Sequence, residues 1–381
     1  VRDSVGIGWR PELAAGILSH LDRIDVVEVI ADDLFAASKP QLRAIQTLAV
    51  QVPVVLHGVS LGLASSAPVD GARLDDMARV VDAIQPDFWS EHLAFVRSDG
   101  LEIGHLAAPP RTDATIAGTV RNLERAGTVV GTVPLVENVA TLVDPPGSVH
   151  DEATWIAQVV HAAGCELLLD LNNLYANAVN FGVPPSELLA RMPLDRVSAV
   201  HLAGGRWISA STGERRLLDD HLHDVPDAVF DLLAEVGARV ARPVTVILER
   251  DGAYPPFEVL LAQLERARDA LALGRLSAVD QVVRKSPVSV TGAPYRARPF
   301  EAYLARLYVD AQARARFLAD PGGEAERAGL DPAACAALTQ LDRVGLELAA
   351  QSFQRKRRHA KPPRGSSPGR RSGLLRRGRR P

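Results

Sequence analysis

The chain is poor in cysteine. Cys165 and Cys335 are its only two among 381 residues. They lie far apart, which argues against a disulfide framework and against a thiolate metal site, since that needs clustered cysteines. Any metal must then be held by nitrogen and oxygen. Long apolar runs are also missing. None reaches the roughly 18 residues that span a bilayer, so no membrane segment is expected. No signal-peptide pattern is visible, because the N-terminus runs straight into a strand-like segment, and the chain is read as cytoplasmic. No Gly-rich phosphate fingerprint follows the first strand, which argues against a doubly wound nucleotide-binding sheet. The nucleophile-elbow spacing G-x-S-x-G is absent too, although HGVS at 57–60 contains His and Ser.

What is present is ordinary in bulk and uneven in charge. Hydrophobic residues are 47% and charged residues 23%, usual for a globular protein. The length suits one domain of about 250 residues plus a smaller unit. The net charge of -3 hides an asymmetry: residues 355–381 carry twelve Lys or Arg and no Asp or Glu, leaving 31 basic against 46 acidic residues elsewhere. An acidic body argues against a broad nucleic-acid surface, leaving only the basic tail to touch nucleic acid or an acidic partner. The tail, rich in Pro, Gly and Ser, is expected to be disordered over 354–381.

Eight strand candidates, near 5–9, 26–31, 52–57, 87–93, 133–138, 166–171, 197–202 and 244–249, alternate with amphipathic segments. Their cores are continuous Val, Ile and Leu runs, the signature of parallel strands buried on both faces. An eightfold β-α repeat predicts an α/β fold, a (β/α)8 TIM barrel over residues 1–277. A linker at 278–297 and a small helical module at 298–353 follow. That module is too small to bury much core alone, and is expected to dock on the barrel or on a partner.

Several of these strands stop on a residue able to bind a metal. VPVVLHG ends near His57, FWSEHL near His92, VPLVENV near Glu137, ELLLDLNN at Asp170 with Asn173 beyond it, VSAVHLAG near His201 and VTVILERD at Glu249. Asp219 and His221 lie in the loop after the seventh strand, with an i, i+2 spacing that points both the same way in an extended segment. In a parallel barrel the active site gathers at the C-terminal ends of strands, so these residues should converge on one mouth. Nine donors exceed the four to six that one ion takes and imply two or three ions, with Glu137 as a bridge. Mixed imidazole and carboxylate sites suit Fe, Mn or Zn. One residue at a time, a structural histidine or a helix-capping acid explains each position; six coincidences on consecutive strands do not reduce to that. His223 is a weaker donor. Glu28, Asp32 and Asp33 fit supporting or capping roles. Trp89 and Trp207 fit packing, and Cys165, opening the sixth strand, fits the core.

The strings HGVSLGL (57–63), SEHLAF (90–95), VEN (136–138), LLLDLNNLYANAVNFG (167–182), VHLAGG (200–205), LLDDHLHDVPDAVF (217–230) and ILERD (247–251) resemble the multinuclear non-haem iron-dependent oxidative enzymes over roughly residues 4–272. The resemblance implies a TIM barrel holding two or three irons of mixed ferrous and ferric state, with O₂ as co-substrate. It also implies a ribosomally made precursor peptide as substrate, modified mostly at cysteine, and a partner protein that holds the peptide's leader. It groups His57, His92 and Glu137 as one iron's ligands, Asp170, Asn173 and His201 as a second set, and Asp219, His221 and Glu249 as a third, with Glu137 and Asp170 as candidate bridges. Segment 298–353 loosely resembles helical modules found beside this family, which would replace or recruit the leader-binding partner. The residues alone also fit a zinc- or manganese-dependent TIM-barrel hydrolase, phosphodiesterase or sugar isomerase, and a non-catalytic metal-binding scaffold.

Overall fold

In the computed structural model, which describes residues 2–277 and 296–359, eight parallel strands close into a barrel. They are β1 (Ser4–Gly8), β2 (Val27–Ile30), β3 (Val54–Gly58), β4 (Trp89–His92), β5 (Leu135–Glu137), β6 (Leu167–Asp170), β7 (Val197–Leu202) and β8 (Thr245–Leu248). Each strand pairs with its neighbours in sequence, and β8 pairs with β1. Helices including Gly71–Ile84, Asp113–Val130, Glu152–Ala163, Asp227–Arg239 and Phe257–Leu276 cover the outside. The fold is the (β/α)8 barrel expected from the eightfold repeat. Among the described residues no helix is long and apolar enough to cross a membrane.

Strand periodicity explains where the chemistry sits. Successive side chains on a strand point to opposite faces. Val27, Val29, Leu56, Val136, Leu167, Leu169, Val200, Val246 and Leu248 face outward into the main core under the helices. The inward set is separate: Val26, Val55 and Ile247 form one small cluster, Leu135, Leu168 and Ala199 another, and Phe88 packs against both. Two residues beyond each of these six stands Glu28, His57, Glu249, Glu137, Asp170 or His201. The barrel interior is thus an apolar floor with a polar layer directly above it. β1 keeps the alternation, with Val5 and Ile7 outward, but places glycine inward: a Cβ on Gly6 would lie 1.8 Å from the Val26 carbonyl oxygen.

Two hairpins rise from the rim. One pairs Phe95–Ser98 with Leu101–Ala107, the other Gly205–Ser209 with Arg215–Asp219. The turn of the first carries Asp99 and Gly100, both at positive φ (48° and 74°), as a tight hairpin turn demands. The helical run expected over 300–319 divides into Ala297–Val309 and Ala311–Ala319, because the Asp310 carboxylate accepts from the Gln312 and Ala313 amides and caps a new helix. Helices Pro321–Arg327, Pro332–Thr339 and Arg343–His359 follow. These helices share one hydrophobic core with the hairpins: Phe300, Leu304, Leu307, Tyr308, Phe317, Leu346 and Phe353 pack with Phe95, Ile103, Leu142 and Ala210. The buried Glu301 carboxylate accepts from the Ser65 hydroxyl (2.8 Å), the Ser66 amide (3.0 Å) and the Ser66 hydroxyl (3.0 Å), pinning the module to the loop after β3. The expected linker lies outside the described residues from 278 to 295. The expected tail lies outside them from 360, and residues 354–359 continue the last helix.

Candidate metal centre

The polar layer of the barrel is built by register. His92 stands opposite Glu137, and Asp170 opposite His201, on neighbouring strands. Glu137 sits at the middle. Its Oε2 lies 3.3 Å from His57 Nε2 and 3.4 Å from His92 Nε2, while Oε1 lies 3.5 Å from His201 Nδ1. His201 Nδ1 is also 3.0 Å from Glu249 Oε2. Three sets of donor atoms lie close enough to share an ion: Glu28, His57 and His201; His57, His92 and Glu137; and Glu137, Asp170, His201 and Glu249. Every member is buried.

The far nitrogen of each imidazole defines its tautomer. His92 Nδ1 is 3.2 Å from the Gly58 carbonyl oxygen, which can only accept. His201 Nε2 is 2.9 Å from Glu28 Oε2, again an acceptor. His57 Nδ1 is 2.8 Å from Ser90 Oγ, whose own hydroxyl donates to the Leu56 carbonyl at 3.4 Å. With those nitrogens protonated, the opposite nitrogen of each ring turns a lone pair toward Glu137 or Glu249. Lone pairs facing carboxylates repel unless a cation or a proton stands between them.

The electrostatics say the same. Burial alone would lower His92, but Glu137, Glu91 and Glu249 outweigh it and raise it to about 9. Burial also opposes the charged forms of His201 and His221, yet Glu249, Glu28 and Glu137 around the first, and Asp219 and Glu249 around the second, push both well above the usual imidazole value. Burial would raise Glu137, but His92, His201 and His57 bring it down to about 2. Asp170 is pushed well up, first by burial and then by Glu137 and Asp219. On its own groups alone the layer balances its charge by holding protons, the role that metal cations would take over.

Unpartnered buried atoms complete the fit. Glu28 Oε1, Asp170 Oδ2 and Asn173 Oδ1 lack a hydrogen-bond partner, and Glu137 Oε2, His201 Nδ1 and His221 Nε2 meet only the facing imidazoles and carboxylates of the layer, a costly arrangement for so many groups in one place. Asp170 combines two roles: Oδ1 accepts from the Asn173 amide at 2.7 Å and caps helix Leu171–Phe181, leaving Oδ2 free. Asn173 donates its amide group to the Asn138 carbonyl at 3.0 Å, which leaves its oxygen over the centre's edge. A nitrogen and oxygen donor set with this many free lone pairs fits more than one divalent or trivalent ion.

His57, His92 and Glu137 stand together. His201 faces Glu137 and Glu249 as well as Asp170, which brings donors of the second and third expected sets within reach of one another. Asp219 ends a hairpin strand instead of lying in a loop, and His221 has left-handed backbone (φ 56°). Their contact, 2.9 Å from His221 Nε2 to Asp219 Oδ1, therefore does not come from an extended i, i+2 segment. The His221 amide donates to the Gly204 carbonyl and its own carbonyl accepts from Asp251, which turns the ring toward Glu249, with Nδ1 at 3.5 Å. His223 faces away and pairs with Asp220. Trp89 is core, its indole donating to Thr132, and Cys165 is buried with its thiol pushed up to about 11 by burial.

Sequence reasoning missed Arg10, Asp251, Ser90 and Glu91. Arg10 continues the inward parity of Gly6 and Gly8, and its guanidinium holds Asp251 at 2.5 Å beside Glu249 at 4.0 Å. Glu91 is buried and accepts from the Leu61 and His92 amides. Above the layer opens a cavity of about 400 Å³. Its walls include Arg10, His57, His92, His221 and Glu249 from the barrel, His105 from the first hairpin, and Tyr308, Phe353 and Lys356 from the C-terminal helices.

Residues 4–272 match the family model for the RiPP precursor modification enzymes MbnB/TglH/ChrH. The chain belongs to this family. It is the family of multinuclear non-haem iron-dependent oxidative enzymes that the motif strings resemble. Relatives include a UPF0276 protein of Caulobacter vibrioides, 35% identical over 277 residues, covering 72% of this chain and 96% of the relative. A UPF0276 protein of Bordetella bronchiseptica is 34% identical over 269 residues, covering 71% and 93%. Among solved structures, a D-tagatose 3-epimerase-like protein matches with a TM-score of 0.48 at 11% identity, covering 72% of this chain and all of that one. At that distance the likeness says nothing about the reaction. Family membership makes the protein an enzyme that modifies a ribosomally synthesised precursor peptide.

Proposed function

We propose that this enzyme is a multinuclear iron oxidase that modifies its peptide substrate at cysteine with O₂. The observation that carries the reading is Glu137, one buried carboxylate in contact with three imidazoles from three strands. A carboxylate shared in this way suits a bridge between two ions. His57, His92 and Glu137 would hold one ion, and Glu137, Asp170, His201 and Glu249 a second, with Asn173 at its edge. His221 and Asp219, joined through Glu249, would hold a third. Iron bound there would supply a position for a substrate thiolate and the redox capacity to use O₂.

The chain's own residues do the rest. Glu28, Ser90 and the Gly58 carbonyl hold the imidazole tautomers. The apolar floor of Val26, Val55, Leu135, Leu168, Ala199 and Ile247 keeps water from entering below. Arg10 holds Asp251 against the rim and offsets the negative charge of Glu249. Tyr308 and Phe353 from the C-terminal helices line the cavity wall beside the barrel residues. Purification without oxygen, metal quantification, and O₂ consumption with a cysteine-containing peptide test the reading. Iron with thiol-dependent O₂ uptake supports it; a zinc protein with no O₂ uptake contradicts it.

A further inference from the structure

The cavity over the metal layer has a neighbour. A groove of about 260 Å³ runs between the second hairpin and the last helix, lined by Arg206, Trp207, Leu218, Leu348, Ser352 and Arg355. Leu218 and Ser352 line both spaces, so the groove continues into the mouth. Lys356, next along the helix, lines the mouth itself. Trp207 is 46% exposed, unusual for so large a ring, and Arg215 stacks on it at 5.0 Å. Arg206 is matched by Asp220 at 2.9 Å. Among the described residues no carboxylate within ion-pair distance is found for Arg355, Lys356 or Arg215, whereas most other arginines of the barrel have one.

An unmatched basic strip beside an exposed indole stands out on an otherwise acidic body, and it leads to a buried catalytic cavity. We propose that this groove binds an acidic segment of the peptide substrate and feeds the adjoining reactive residue into the barrel mouth. The inference rests on the peptide-substrate reading and adds which charge the peptide carries and where it lies. An extended chain suits the geometry: its carboxylates meet Arg355 in the groove and Lys356 at the mouth, and its apolar side chains meet Trp207 and Leu348. The chain's own residues 360–381 carry eight Lys or Arg and no acid, so they are no charge match for this strip. Nucleic acid, the other polyanion, is disfavoured by the acidic barrel around the groove.

The test uses full-length protein and fluorescein-labelled peptides, each with one cysteine: glutamate-rich, neutral and lysine-rich. Fluorescence anisotropy is recorded for wild type, for the double variant Arg355→Glu/Lys356→Glu and for Trp207→Ala. All three side chains are on the surface, and circular dichroism checks that the variants fold. The glutamate-rich peptide is expected to bind wild type best, to weaken with added salt and to lose roughly tenfold or more in affinity in the charge-reversed variant, with a smaller loss for Trp207→Ala. Equal binding of glutamate-rich and neutral peptides, unchanged in the double variant, overturns the groove while leaving the peptide reading standing. No binding of the glutamate-rich peptide likewise overturns the groove and leaves the family's peptide substrate standing. Tighter binding of a DNA oligonucleotide than of the acidic peptide also overturns it.

Discussion

Glu28 Oε2 stands 2.9 Å from His201 Nε2, both side chains fully buried at the base of the barrel mouth. The pair reaches across the barrel, from the second strand to the seventh, and turns the other nitrogen of His201 toward Glu137 and Glu249. Glu28, itself within reach of an ion shared with His57 and His201, thereby sets the direction of a candidate ligand. Replacing Glu28 with alanine should lower metal affinity by roughly 10–100-fold, as loss of such an orienting partner does. Competition titration with a chromogenic chelator measures it; unchanged affinity would mean that Glu28 does not orient the ring.

Glu137 and Asn173 should differ in kind. Glu137→Ala removes a donor shared between two groups, so the metal content per chain should fall by more than one ion. Asn173→Ala removes a single neutral oxygen at the edge and should cost at most one. Elemental analysis of both variants, prepared side by side, separates a bridge from a terminal ligand.

The C-terminal module should come away from the barrel when Glu301 is truncated. Three donors of Ser65 and Ser66 converge on that carboxylate, and Glu301→Ala leaves them buried without it. The expected cost is about 2–4 kcal/mol. It should appear as a lower melting temperature than wild type, read by circular dichroism; an unchanged melting temperature would mean that the contact does not hold the module.

Glu152 gives a pH dependence independent of the metal centre. Burial first, then Asp144 and Asp151, outweigh Arg111 and the Asn177 amide and raise it from 4.5 to about 7. A carboxylate raised on folding favours the folded state below its unfolded value, and that contribution is lost as pH rises through the folded value. Wild type should therefore lose stability relative to Glu152→Gln between about pH 4.5 and 7 and run parallel to it above. The difference should be about 1–2 kcal/mol, allowing for the partial exposure of the side chain. Urea unfolding at a series of pH values reads it directly.

Much of the barrel was legible because parallel strands buried on both faces leave continuous apolar runs, as LLL does before Asp170. The candidate donors were legible for a related reason. Each ends such a run, and a strand end in this fold points to one mouth. What stayed hidden depends on contacts distant in sequence. Ser90 and Glu28 look like ordinary strand residues until His57 and His201 are seen against them. Arg10 becomes readable only once Gly6 and Gly8 are known to face inward. The Asp99-Gly100 pair is a hairpin signal carried openly by the sequence. His221 could not be placed from spacing, because its left-handed backbone is imposed by Gly204 and Asp251.

The central claim is that the polar layer holds several irons through a shared Glu137. Protein purified without oxygen and reconstituted with ferrous iron, its iron per chain counted and its Mössbauer spectrum recorded, tests this most directly. The account predicts at least two irons per chain with spectra of coupled centres, reduced to isolated iron or none in Glu137→Ala. One uncoupled iron per chain in wild type, or a zinc-filled site that refuses iron, would contradict it.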